Sequence, residues 1–517
     1  MKRWMTMGFF LGWFLLFTMP VESASDQPQQ GGTLTMAISR DMVRMNPMIR
    51  TASTEKRIRD LIYDPLLSED LKGNIKPGLA ESWEVSDDGK IYTFKLRRGV
   101  KFHNGQEMTA QDVKFCMDYT MNKKNGAYGY GRLQVVDRIE VPDPYTLKVH
   151  LKQANAPFIS SLSDIRAFPV IPKESLPEGI DKPTKFPPGT GPFKFIEWVP
   201  SQRIVFERFD DYWRQKAYVD KVILRPIENE TVRFTALRAG DVDVVERTPY
   251  EWVKQVVDGK IKGIGFAKAE TAGYRRIMFN VDAPPFNDKK LRAAVAHALN
   301  KKELLDAAYM GFGDVVDQKY PAGYAWYFED IPSPKFNLDK AKALLKESGY
   351  KGQPIRFLTN QEGVRQTEAL MVQSQLAKIG MKIKIDTVEW GAYRTLQRKG
   401  DYDFMFYGGQ LNADPSITYS RDWVCESKTK RSSNVSGYCD PKVDALFEEA
   451  EAAFNTEKRK KLFKTILQTA YGEIPEVPVG YVPRFFAYRN EVKGFTTNGS
   501  GDFRFSDGGL AHAWLDR

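Results

Sequence analysis

The residues able to carry covalent, metal or acid–base chemistry are few and scattered. The chain has three cysteines, Cys116, Cys425 and Cys439, and four histidines, His103, His150, His297 and His512. No Cys-x-x-Cys pair or histidine cluster accompanies them, so the ligand spacing of a zinc site is missing. In an oxidising compartment Cys425 and Cys439 suit a disulfide that closes a loop holding Lys428, Lys430 and Arg431. Cys116, within the amphipathic run Asp112-Val113-Lys114-Phe115-Cys116-Met117, reads as a buried free thiol. There is no Walker A loop, His-Glu-x-x-His helix or Gly-x-Ser-x-Gly elbow. Gly126, Gly129 and Gly131 cluster, but not between a strand and a helix, so they do not read as a phosphate cradle. A hydrolase would need a nucleophile and a base brought together, and the sequence displays no such pair. Asp414-Pro415 closes the run Tyr407-Gly408-Gly409-Gln410-Leu411-Asn412-Ala413-Asp414-Pro415, where an aspartate before proline initiates a turn. Trp390, Tyr393, Tyr407 and Trp423 surround that run; aromatic side chains build cores and also line clefts.

Those residues need a scaffold of more than one body. At 517 residues the chain exceeds the size at which one hydrophobic core stops growing, about 250–300 residues. Lys2 and Arg3, an apolar stretch from Met7 to Met19 and the small residues Ser23 and Ala24 form a secretory leader, residues 1–23, with cleavage expected just before Ala24. No lipidated cysteine follows it, and a periplasmic location is expected. The formal charge is +10, but charges of both signs alternate, so a nucleic-acid partner is not expected. The densest basic run, Lys458-Arg459-Lys460-Lys461, reads as the solvated face of a helix that turns Leu462, Phe463 and Ile466 inward.

Along the chain, Thr33 to Ile38 alternates as a strand, Arg57 to Leu67 has helical spacing, and Asp87-Asp88-Gly89 is a turn before alternating Tyr92, Phe94 and Leu96. Thr109 with Asp112 starts a helix, and Tyr145 to Leu151 alternates again. Pro183 to Pro192 is a proline-rich crossing. From about Tyr274 helices alternate with strands. Asn300 with Glu303 makes a capping box, Gly349 is expected as a left-handed cap after Asn337–Ser348, and Gly380 stops the next helix before Met381, Ile383 and Ile385.

Several strings together resemble the family 5 extracellular solute-binding proteins. They are Ile58-Arg59-Asp60-Leu61-Ile62-Tyr63-Asp64-Pro65-Leu66-Leu67, Lys76-Pro77-Gly78-Leu79-Ala80-Glu81-Ser82-Trp83, Tyr92 to Gly105, Gly189-Thr190-Gly191-Pro192-Phe193, Phe279-Asn280 and Leu291 to Leu299. The resemblance implies an α/β fold of the periplasmic binding protein type (type II, cluster C): two lobes hinged around a cleft, with an extra domain on the first lobe. Lobe one would comprise 25–56, 190–275 and 480–517, the extra domain 57–189, and lobe two 276–479. It implies a non-catalytic, cofactor-free and monomeric receptor that delivers short peptides to the permease of an ATP-driven uptake system. Nickel chelates, haem and oligosaccharides are the alternative cargo, and a chaperone-like holder is a reading from another class. On this resemblance Asp414 would anchor a peptide's α-amino group and Arg365 its carboxylate; read from the sequence alone, Arg365 is a solvent-exposed charge at the start of a helix. Trp390, Tyr393, Tyr407, Gly409 and Trp423 would stand along the cleft. The family segment often carries a tryptophan where this chain has Gly408-Gly409-Gln410.

Overall fold

Alternating apolar side chains build the first strand, Thr33–Ile38, and sink Leu34 and Met36 completely into the core. The computed structural model describes residues 27–49, 53–70, 74–173, 175–176, 185–270, 273–361, 363–409, 411–412, 414–426, 434–498, 501, 504–505 and 508–517. The expected leader and the three cations expected inside the disulfide loop lie outside these residues.

Thr33–Ile38 pairs in parallel with Lys221–Pro226 on one side and Val244–Val245 on the other. Parallel strands are covered on both faces, and the first strand is buried without a break from Met36 to Ile38. The full sheet has seven strands in the order Ile264–Ala269, Arg484–Arg489, Val244–Val245, Thr33–Ile38, Lys221–Pro226, Arg203–Arg208, Phe193–Val199. A second sheet of six strands is drawn from the later half: Asp314–Val315, Glu476–Tyr481, Tyr274–Phe279, Phe404–Gly409, Ile355–Asn360 and Ile383–Val388. Its helices cover both faces, giving an α/β body. Ala80–Val85, Ile91–Leu96, Thr146–Leu151 and Val136–Asp143 form a separate antiparallel sheet.

The antiparallel sheet is not an independent unit. Tyr92, Phe94 and Leu147 share one buried cluster with Leu34, Met36 and Phe193 of the seven-stranded sheet. Burying each such side chain contributes about 1.5–3 kcal/mol. The second body has its own core, with Ile277, Phe279, Leu291, Val295, Phe357 and Val477 at its centre. A further cluster, Tyr419, Trp423, Phe447, Phe463 and Tyr471, packs its last helices together.

Two of the strings that carry the family resemblance, Ile58–Leu67 and Gly189–Phe193, prove to brace each other. Gly191 N–H donates to the Ile62 carbonyl at 2.8 Å, and a Cβ on Gly189 would sit 1.9 Å from that same oxygen. Only glycine permits this approach. Asp64 accepts from the Thr190 hydroxyl at 2.9 Å and from Trp213 Nε1 at 3.0 Å. The described end of the proline-rich crossing is therefore strapped to the helix Ser53–Ile62, not loose.

Two local expectations need correction. Gly349 takes no left-handed conformation: the helix Leu338–Glu347 ends on an extended Ser348, and Gly349 N–H donates to Asp288 at 2.7 Å. The basic run at 458–461 is not wholly solvated, because Arg459 turns inward and is 7% exposed.

The two large sheets are joined by two crossings, from Ala269 to Tyr274 and from Tyr481 to Arg484. Their described residues Gly273 and Val482 lie side by side. Val482 N–H donates to the Gly273 carbonyl at 3.0 Å, and a Cβ on Gly273 would meet the Val482 carbonyl at 2.5 Å.

Candidate functional site

Where the crossings emerge, the two bodies face each other through aromatic rings. Tyr250, at the start of the helix Tyr250–Val257, meets Tyr309 of the opposing helix edge-on, with centroids 5.2 Å apart. Phe312 and Phe485 pack beside them at 5.2 Å from each other. The Tyr250 hydroxyl donates to the Pro483 carbonyl at 2.8 Å, so the crossing itself helps hold the ring. Rigid rings of this kind make wide contact at little entropic cost.

Charged groups flank the rings on both sides. In the second body Arg275 forms a forked pair with Glu368, at 2.8 and 2.5 Å. Arg365 joins the same carboxylate at 3.2 Å, and the Tyr309 hydroxyl also donates to it. In the first body Glu246 is fully buried and meets Arg57 at 3.0 Å. It also accepts from the Ser39 main chain at 2.6 Å and from the Ser39 hydroxyl. Burial pulls the Glu246 carboxyl up, but Arg57, Arg247 and Ser39 outweigh that and hold it at about 2. Arg247 follows with a left-handed backbone, φ 53°. For a non-glycine residue that conformation costs on the order of 1–3 kcal/mol, and the Arg233 guanidinium, donating to the carbonyls of Glu246 and Arg247, offsets it.

The residues singled out from sequence do not all gather here. Asp414 is 4% exposed, and its carboxylate is taken: Arg459 binds it through Nη1 and Nη2, both at 2.7 Å, and Ser416 N–H donates to it at 2.8 Å. In this structure it caps the helix Pro415–Trp423 and ties it to the helix Thr456–Glu473, rather than presenting a free anion. Trp423 is fully buried, stacked 4.8 Å from Tyr419, and lines the core instead of a cleft. Tyr393 is also core; its hydroxyl donates to the Phe406 carbonyl at 2.8 Å. Trp390 stacks on Tyr393 at 5.7 Å but stays 38% exposed. Tyr407 and Gly409 are half-buried at the end of the strand Phe404–Gly409, with Arg276 lying 4.8 Å over the Tyr407 ring. Arg365 retains 21% exposure beside Glu368. Cys425 and Cys439 are joined in a disulfide, and Cys116 is a buried thiol.

Sequence reasoning missed Arg57, Glu246, Arg247, Tyr250 and Arg484. One signal was present for Arg484. Between Ile474 and Tyr488 the only charges are Glu476 and Arg484, and a lone charge in an apolar run must be buried and answered by a partner.

Behind the wall lies a four-charge network. Asp422 accepts from Arg276 at 2.8 Å and from Lys319 at 2.6 Å, while Glu476 stands 3.1 Å from Arg276 and 3.8 Å from Lys319. All four residues are buried, and Lys319 also lies over the Tyr419 and Trp423 rings at 4.7 and 4.6 Å. A groove of about 440 Å³, lined by His297, Phe336, Lys340, Tyr471 and Gly472 among others, belongs to the second body alone and is not part of the crevice.

The bodies also touch at a second place. Ala156 N–H donates to the Glu451 carbonyl at 2.7 Å, and Phe454 lies 6.4 Å from Tyr92. Burial, with the Asp414 charge nearby, pushes the Glu451 carboxyl up to about 7, against the pull of Arg459. Folding thus favours the neutral acid. Stability from this group is complete below the unfolded value near 4.5 and is lost as the pH rises towards 7. Glu451→Gln is neutral throughout, so it should raise stability at pH 8 by about 1–2 kcal/mol, allowing for partial exposure, and leave it unchanged at pH 4. Equal melting temperatures for the two proteins at pH 8 would refute this assignment.

Among the described residues no helix is long and apolar enough to cross a membrane. Residues 74–430 match the family model described as bacterial extracellular solute-binding proteins, family 5 middle. The dipeptide-binding protein of Escherichia coli is 28% identical over 92% of this chain and 94% of its own length. Heme-binding protein A of Haemophilus influenzae is 30% identical over 84% of each chain. The solved structure of the oligopeptide-binding protein AppA of Bacillus subtilis, in complex with a nonapeptide, superposes with a TM-score of 0.80 at 28% identity. It covers 95% of this chain and 100% of that one.

Proposed function

The chain belongs to the bacterial extracellular solute-binding proteins of family 5, and from that premise we propose that it is a periplasmic receptor that closes on a short peptide and delivers it to the permease of an ATP-driven uptake system. The observation that carries the reading is the paired crossing between two α/β bodies whose facing walls hold aromatic rings and guanidinium groups. Such an arrangement opens and shuts about its connecting strands, and ligand drives closure only through contacts it makes better in the shut state. Peptide cargo draws support from the relative named for dipeptides and from the neighbour solved with a nonapeptide. The relative named for haem keeps a second reading in play: the same receptor for a non-peptide solute such as haem, a nickel chelate or an oligosaccharide. The functional division we assign is lobe one at 25–56, 190–275 and 480–517, the extra domain at 57–189 and lobe two at 276–479. Export through the leader at 1–23, action as a monomer without a nucleic-acid partner and the absence of a catalytic role belong to the same reading. Of the residues expected along the cleft, Arg365, Trp390, Tyr407 and the main chain at Gly409 retain accessible surface and are the proposed contacts.

Thermal unfolding against di- to pentapeptides, haem, nickel chelates and oligosaccharides tests this directly. A ligand that binds only the folded protein adds about 2.7 kcal/mol at a hundredfold excess over Kd. A saturable rise with peptides establishes the cargo. A rise with haem alone retains the receptor and removes the peptide, and no response to any member of the panel removes the receptor reading.

A further inference from the structure

One guanidinium beside the crossings is poorly served by the protein. Arg484 opens the strand Arg484–Arg489, three residues after Tyr481 ends its strand in the other sheet. The residue as a whole keeps some accessible surface, yet its Nη1 is shut off from water and has no hydrogen-bond partner among the described residues. A guanidinium carries five N–H donors, and a buried one left unmet is costly enough that structures seldom tolerate it without a reason. The surrounding field makes the position worse. Burial and the neighbouring charges of Arg247 and Arg57 push the Arg484 guanidinium down to about 9, and Glu246 only partly resists them. Glu246 is itself engaged by Arg57 and Ser39.

The neighbourhood of Arg484 is the place where the two bodies meet. Tyr250 lies within range of the Arg484 charge, is bonded to Pro483 immediately before it, and presents its ring to Tyr309 across the crevice. Arg275 and Glu368 of the second body also act on Tyr250. The strained Arg247 stands on the same side, its carbonyl pinned by Arg233. Backbone strain that the surroundings hold in place collects at binding sites. A planar donor fork beside the crossings, with Nη1 unpartnered among the described residues and like charges nearby, matches a carboxylate in shape and sign.

We propose that Arg484, backed by Arg247, is the subsite for a carboxylate of the transported solute, set at the crossing where the two lobes close. This deepens the receptor reading and rests on it. It places the acidic end of the cargo on the first lobe; on the second, the charge of Arg365 is already directed at Glu368. The residue anchors cargo; it takes part in no reaction.

The test uses thermal unfolding of the protein, Arg484→Gln and Arg484→Lys. The probes are succinate and, as its uncharged counterpart, succinamide, at constant ionic strength set with sodium chloride. The expected result is a saturable rise with succinate, none with succinamide, and at least a tenfold weaker midpoint in Arg484→Gln. Arg484→Lys keeps the charge without the fork and falls between the two. Without ligand, Arg484→Gln should melt no lower than the parent, because it removes a badly placed ion. A clear fall would make Arg484 a structural group and overturn the proposal, and so would a succinate midpoint that is unchanged in Arg484→Gln, or no succinate response at all. Running the peptide panel on the same samples separates the two levels. Peptide stabilisation that survives in Arg484→Gln sinks the subsite and leaves the receptor. A succinate response with no response to any panel member sinks the receptor and leaves the anion site.

Discussion

Asp414→Ala is expected to destabilise the protein severely, by about 3–5 kcal/mol from the stranded Arg459 charge and about 1 kcal/mol more from the lost helix cap. The carboxylate holds Arg459 in a fork with two 2.7 Å bonds, deep between the helices Pro415–Trp423 and Thr456–Glu473. Arg459 has other bonds, to the Ala450 carbonyl at 2.9 Å and the Ser416 hydroxyl at 3.0 Å, but both partners are neutral. Urea unfolding reads the loss as a lower midpoint. The ammonium-anchor role implied by the family resemblance makes a different forecast: cargo affinity falls and the midpoint barely moves. An Asp414→Ala protein within about 1 kcal/mol of its parent would show that Arg459 does not need this carboxylate, and the anchor role would regain its standing.

Asp422→Ala should be comparably damaging, at about 3–5 kcal/mol. It leaves Arg276 and Lys319, both buried, to share the single carboxylate of Glu476. The rings of Tyr419 and Trp423 soften the loss for Lys319, since a cation over an aromatic face gains about 0.5–2 kcal/mol. Asp422→Asn should be milder, because the amide oxygen still accepts from Arg276. A double change, Asp422→Ala with Lys319→Met, removes one charge of each sign and should recover much of the loss. If the double variant is no more stable than Asp422→Ala, the network is not balancing charge in the way its geometry indicates.

Local rules reached far into this fold. Tyr92, Phe94 and Leu96 alternate in sequence and are buried on one face of the strand Ile91–Leu96. Gly380 is left-handed, φ 90°, where a helix had to stop. Asn300 caps its helix by accepting from Glu303 N–H at 3.1 Å, although its own N–H goes to Gln375 instead of completing the box with Glu303. Each of these is decided within a few residues. The site was less legible because its contacts span long separations. Arg459 reads as one of four consecutive cations on a helix, and nothing near it in sequence announces Asp414, 45 residues earlier. Glu246 and Arg57 are separated by 189 residues. Trp423 and Trp390 look alike as large aromatics beside the same loop; only the packing of the last helices puts one in the core and leaves the other exposed. Periodicity reports which face is apolar, but it does not report which charges the apolar faces will bring together.

The crossing at Gly273 and Val482 has a mechanical consequence. Two separate tethers would let the bodies twist, slide and swing independently. Here the tethers are short and laced together by the bond from Val482 N–H to the Gly273 carbonyl, with no room for a side chain at Gly273. Sliding one body past the other would shear that bond, whereas swinging about the ribbon's long axis leaves it intact. Relative motion is thereby reduced towards a single angular degree of freedom. Contact energy gained anywhere along the crevice then acts as torque on the same axis, and solutes of different length can drive the same closing stroke.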